Sequence, residues 1–321
     1  MPAAQFTRSW NQLEDRLVRR RWDYLRDSWL RSLPSIDPAG SAPTRTISDV
    51  ISELVTEPAN RTGVLQSFGF PVGEALQLLF REGVYWLHKA LHVLGVAEID
   101  AHGGMPTWSL STAYQSAFFS ARSSMAFLGL AIAERAKTSY VVEFCRDMRT
   151  MSAREYGVTG AFEEEAQFHT IGILFDHRQI WMLFQRVLRL TTRGPWPGEL
   201  GSYISQLNLT DITKQRHHLH YQLLGWVFED LYNFTDVEDF QNVHPTGDGR
   251  DLFDCEQPSF TFTLAAAMLR LALDPFFDIS RNTNRIRTET GLLESGLIEE
   301  RHPILFESLQ AISSSSTPVP L

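Results

Sequence analysis

Apolar residues follow helical spacing along most of the chain. Leu13, Leu17, Tyr24, Leu25 and Trp29 lie behind Ser9 and Gln12, a pair that reads as a capping box, and Pro34 closes the run. Residues 34–44 hold three prolines with Ser, Gly and Asp, the chemistry of a linker, and 47–57 read as a short helix. From Val72 to Val96, Leu76, Leu79, Phe80, Val84, Leu87, Leu91 and Leu94 form one helical stripe with Gly83 as its mid-helix weak point. His102, Gly103, Gly104 and Pro106 write a turn, with Ser109 or Ser111 available to cap the next helix. That helix, predicted over 109–135, puts Leu110, Ala113, Tyr114, Ala117, Phe118, Ala121, Met125, Leu128 and Ile132 on one face. Phe127 and Leu130 fall on others, so this helix is expected to be central and buried nearly all round.

Two runs break the helical pattern. Residues 139–144 and 170–175 are rich in β-branched and aromatic side chains and too short for helices, which predicts a small hairpin and confines any sheet to 139–176. Helical spacing returns over 177–190, ahead of the breaker Gly194-Pro195-Trp196-Pro197-Gly198, and again over 213–233. Residues 236–258 read as a polar loop, 260–273 as an apolar helix ended by Pro275, 303–312 as a short helix and 313–321 as a disordered tail. The fold class expected is mainly α, a helical bundle with a small β-hairpin insertion. Its parts are an N-terminal helical segment with linker (1–58), a helical core domain (59–312) and the tail (313–321).

Composition narrows the function. With 43% hydrophobic and 21% charged residues, disorder is excluded as the main state, and 21 Phe with 8 Trp supply core and interface area together. A net charge of -9 excludes a protein whose whole surface wraps nucleic acid, while leaving room for a local basic site. Cys145 and Cys255 cannot make a disulfide framework and fit a cytoplasmic setting. No apolar run is long enough to cross a bilayer, and Glu14, Asp15 and several Arg occupy the place of a signal core, so no membrane partner is expected. Arg16, Arg19, Arg20 and Arg21 alternate with Asp15, Asp23 and Asp27 as a solvated helix face.

The sequence contains no phosphate loop, dinucleotide fingerprint, nucleophile elbow or Cys-x2-Cys pair. His88 and His92 have the spacing of two zinc ligands on one helix face, but Lys89 stands where a Glu base would be needed and no third ligand is evident. Glu163, Glu164 and Glu165, followed by Gln167 and His169, diverge on a helix and read as solvated charge. No metal and no cofactor is expected, which leaves a metal-dependent hydrolase a distant third reading.

The richest cluster is Lys214-Gln215-Arg216-His217-His218-Leu219-His220-Tyr221, at the start of an amphipathic helix. A guanidinium that binds phosphate, histidines that move protons near neutral pH and a phenol that orients them suit metal-independent phosphodiester cleavage. The same residues also read as a helix start whose histidines bond to neighbouring loops.

Arg216 to Tyr221 resembles the Arg, polar residue and His that open a late helix in catalytic members of the HEPN superfamily of helical ribonucleases and nucleotide-binding proteins. The stretch from Ser111 to Arg122 is similar to the Ala- and aromatic-rich early helix of such bundles. Three residues separate Arg216 from His220, one fewer than the motif's shortest spacing, and Tyr221 stands at the expected place. The resemblance places HEPN-like helices near 109–135 and 213–233. It implies a homodimeric, metal-independent endoribonuclease or a derived RNA-binding protein. Arg216 would hold the scissile phosphate and His220 would act as general base or acid, with His217 and Tyr221 assisting. Arg122, His218 and Lys214 would contact the substrate. The alternative is a non-enzymatic helical scaffold or protein-interaction module with a protein partner, as in HEPN proteins that lack the full motif.

Overall fold

The computed structural model describes residue 11 and residues 45–55, 63–146, 165–173, 177–191, 198–208, 212–213 and 259–281. Among them are six helices and one four-stranded antiparallel sheet, in agreement with the mainly α class.

Helix α1 (Ile47–Leu54) starts at a capping box. Asp49 N–H donates to Thr46 Oγ1 at 3.2 Å, and Thr46 N–H donates to the Asp49 carboxylate at 2.7 Å. Its Ile47, Val50 and Ile51 are buried in the same core as the rest of the described chain. Strand β1 (Leu65–Pro71) runs directly into α2 (Val72–His102), with Pro71 at the cap position, where its fixed φ suits the entry to a helix. Arg45 ties these pieces together. It donates to Glu74 in the first turn of α2 and to Glu53 of α1, and its guanidinium lies 5.3 Å from the Phe70 ring centroid.

Helices α2 and α3 (Pro106–Phe127) form an antiparallel hairpin around the Gly103–Gly104 turn and pack on each other more extensively than any other pair. Three serines of α3 explain how closely. Ser109, Ser116 and Ser123 recur every seven residues, and their hydroxyls donate to the carbonyls of Ala97, Ala90 and Gly83 at 2.7, 2.8 and 2.8 Å. Each step of seven along α3 is matched by a step of seven back along α2, so the bonds form a ladder down the seam. Ala113, Ala117 and Ala121 of the same helix are all 0% exposed. Gly83 completes the fit, because a β-carbon there would stand 2.7 Å from Phe127 Cε1.

Phe80 of α2, Phe127 of α3 and Phe276 of α6 (Ser259–Arg281) meet with ring centroids 5.9 to 6.3 Å apart, locking the third helix onto the hairpin. On another flank, α4 (His177–Thr191) buries Trp181, whose Nε1 donates to the Tyr114 hydroxyl at 3.0 Å. Gln185 and Arg189 of α4 then donate to carbonyls at the end of α5 (Gly198–Gln206), those of Ile204, Leu207 and Ser205.

Strands β2 (Leu130–Arg135), β3 (Thr138–Arg146) and β4 (Glu165–Ile173) join β1 in the order β1-β4-β3-β2. The β2–β3 turn places Ala136 and Lys137 at φ 46° and 65°, a left-handed pair that matches the strand twist.

Several expectations need correction. The helix predicted over 109–135 ends at Phe127, because Gly129 adopts φ 78° and closes it, and residues 130–135 continue as β2. The sheet therefore extends beyond 139–176, and β1 lies outside that range as well. The expected hairpin strands do pair, as β3 and β4, but as the middle of a larger sheet. Neither Ser109 nor Ser111 caps α3. Met105 holds the cap position without a side-chain bond, Pro106 begins the helix, and Ser109 is in the seam instead. Pro275 does not end the last helix, which continues through it to Arg281. The expected elements at 9–34 (except Asn11), 214–233, 236–258 and 303–321, the linker at 34–44, the breaker at 194–197, and Cys255 lie outside the described residues.

Candidate functional site

Lys214, Arg216, His217, His218, His220 and Tyr221 lie outside the described residues. Arg122 is placed, and it closes a row of cations and aromatic rings on the outer face of the α2–α3 hairpin. Helical spacing builds this row from both sides: Glu82, Trp86 and Lys89 succeed each other along α2, and Phe119 and Arg122 face them from α3. The rings of Trp86 and Phe119 stack with centroids 5.4 Å apart and planes 26° apart. Lys89 Nζ lies over both, at 4.9 and 5.1 Å from their centroids. The Arg122 guanidinium covers Trp86 at 3.8 Å, a close cation–π stack.

The polar ends of the row are satisfied. Trp86 Nε1 donates to Glu82 Oε1 at 2.7 Å, and Arg122 Nη2 donates to the Ile132 carbonyl at 3.0 Å while lying 3.9 Å from Glu82 Oε1. Burial pulls the Arg122 guanidinium below its ordinary pKa, opposed by the charges of Glu82 and Glu134. The guanidinium thus joins α3 to α2 through Trp86 and to β2 through Ile132. With its side chain 14% exposed, it keeps a small edge toward solvent. Sequence reasoning named Arg122 and missed its neighbours. The signal was an aromatic and a cation three apart on each of two helices, Trp86 with Lys89 and Phe119 with Arg122.

The other sequence candidates separate. His88 is half-buried and His92 exposed on α2, and among the described residues no group of three or more His, Cys, Asp or Glu could hold a metal ion. Glu165 and His169 lie on strand β4, and Glu163 and Glu164 lie outside the described residues. No described helix is long and apolar enough to cross a membrane.

No curated protein and no solved structure matches the chain. A family does. Its match begins inside α2, takes in α3, β2 and β3 and reaches the first residues of β4, so it includes Trp86, Lys89, Phe119, Arg122 and the three seam serines, but begins just after Glu82 and Gly83 and stops short of 214–221. The family is the HEPN domain, matched over residues 84–167, which supports placing the chain in the HEPN superfamily.

Proposed function

We propose that the protein is a cytoplasmic, homodimeric, metal-independent endoribonuclease of the HEPN type, or an RNA-binding protein derived from one. The observation that carries this reading is the HEPN match over the α2–α3 hairpin, the same hairpin that bears the early-helix stretch from Ser111 to Arg122. The chemistry is assigned to the later cluster. Arg216 holds the scissile phosphate, and His220 takes the proton from the ribose 2′-hydroxyl or gives one to the leaving oxygen. His217 and Tyr221 orient the reacting groups, while Lys214, His218 and the exposed edge of Arg122 contact the RNA backbone. Degradation of RNA by the full chain in the presence of chelator tests the proposal. Loss of that degradation in an Arg216→Ala, His220→Ala double variant of unchanged Tm is the expected result.

A second reading, a non-enzymatic protein-interaction module, is favoured by the turn end of the hairpin. Ile99, Met105 and Trp108 are 55%, 46% and 52% exposed there, and exposed apolar side chains grouped in this way mark sites of protein association. Under this reading the wild-type protein neither cuts nor binds RNA. Substitution of Trp108 would then weaken capture of a protein partner.

A further inference from the structure

Three antiparallel strands set Ser67 of β1, His169 of β4 and Glu143 of β3 in one row, because Ser67 pairs with His169 and His169 pairs with Glu143. Directly opposed residues point to the same face with β-carbons about 4.5–5.5 Å apart. Ser67 Oγ lies 2.7 Å from His169 Nδ1. Exposure falls along the row: Ser67 is exposed, His169 is 6% exposed and Glu143 is fully buried. A hydroxyl at the surface, an imidazole behind it and a carboxylate behind that is the order of nucleophile, base and orienting acid.

The strand ladder adds a donor. Phe144 N–H donates to the Gly129 carbonyl, so the backbone groups of Phe144 face β2 and those of Glu143 face β4. Carried across the register, this alternation turns the backbone groups of His169 toward β3 and those of Ser67 outward from β1, the edge of the described sheet. The Ser67 N–H therefore lies beside its own hydroxyl, where it can donate to an oxygen that becomes negative on attack.

We propose that Ser67, His169 and Glu143 form a nucleophilic site that accepts an acyl group from small activated esters, a function separate from the HEPN reading. Ser67 Oγ attacks the ester carbonyl carbon as its proton passes to His169 Nδ1. The tetrahedral intermediate collapses by breaking the bond to the leaving oxygen, which takes that proton. Water then attacks the acyl-serine with the same imidazole as base, releasing the carboxylic acid and restoring Ser67. Glu143 is a positioning residue. It favours the imidazole tautomer with the proton on Nε2, which leaves Nδ1 to accept from Ser67.

The test uses the full chain, a fluorophosphonate probe and peptide mapping by mass spectrometry. Ser67 is the expected labelled residue, and Ser67→Ala removes the label in a protein that still unfolds cooperatively. His169→Gln slows labelling by about 10²–10⁴-fold. Glu143→Gln also slows it and moves the ¹⁵N signals of His169 away from the Nε2-protonated pattern. A wild-type protein left unlabelled at Ser67, or labelled there no faster than folded His169→Gln, overturns the proposal. In that case the serine–histidine bond serves the sheet alone.

Discussion

A β-carbon at Gly83 would stand 2.7 Å from Cε1 of Phe127, and the two residues are matched to each other across the α2–α3 seam. In an open helix, Gly→Ala gains about 1 kcal/mol. Here the gain is outweighed, because the contact is with the ring of a fully buried phenylalanine that also packs on Phe80 and Phe276. Gly83→Ala is expected to destabilise the fold by about 1–3 kcal/mol in urea unfolding. Phe127→Leu should relieve part of that loss, visible as coupling in a double-mutant cycle. A stabilised Gly83→Ala protein would show that the seam is looser than this fit.

The serine ladder predicts a graded response. The Ala90 carbonyl lies inside α2 and keeps its helical partner when the Ser116 hydroxyl is removed, so no acceptor is orphaned. Ser116→Ala should therefore cost only about 0.5–1.5 kcal/mol, the net value of one hydrogen bond. Ser116→Val forces bulk into the same seam and should cost more, about 1–3 kcal/mol. Equal losses in the two variants, measured by chemical denaturation, would contradict a closely packed seam.

Glu98 makes stability depend on pH. It is 6% exposed on α2, and burial pushes its carboxyl from an ordinary 4.5 up to about 7. The folded state thus holds this proton more tightly than the unfolded chain. The contribution is fully present below pH 4.5, falls as pH rises toward 7 and is gone above it, a change of up to about 3 kcal/mol. Glu98→Gln should match wild type near pH 4.5 and become the more stable protein at pH 8. The difference between the two urea-unfolding series isolates Glu98 from other titrating groups.

The long helices were legible because their period is sustained: the stripe from Leu76 to Leu94 and the face from Leu110 to Met125 both lie in helices, with the turn where His102 to Gly104 place it. Strand β2 was not legible, since Leu128 and Ile132 extend the spacing of α3. The decisive break is Gly129, a single residue whose left-handed φ no periodicity reports. Strand β1 carries Ser67 and Gly69 among its apolar residues and is defined by pairing with β4, a contact about a hundred residues distant. For the same reason the Ser67–His169–Glu143 row could not be read from spacing. Arg122 could be named from its helix, but its attachment to Trp86 and Ile132 arises from two further elements.

Arg122 and Arg216 need different tests, because Arg122 also holds the fold. Arg122→Ala removes the stack on Trp86 and the bond to Ile132, and should lower stability by on the order of 2 kcal/mol, so its loss of activity alone decides nothing. The separable pair is Arg216 and His220. If Arg216 neutralises a phosphate, Arg216→Ala weakens RNA binding and cleavage together, and Arg216→Lys restores binding only in part because the planar two-point contact is lost. If His220 moves a proton, His220→Ala keeps Tm and RNA affinity while turnover falls by about 10²–10⁴-fold. Filter binding, single-turnover cleavage and thermal melting on the same preparations distinguish these outcomes. Substitutions that chiefly lower Tm or break association with another protein, in a wild type that neither binds nor cuts RNA, would replace the ribonuclease reading with the interaction module.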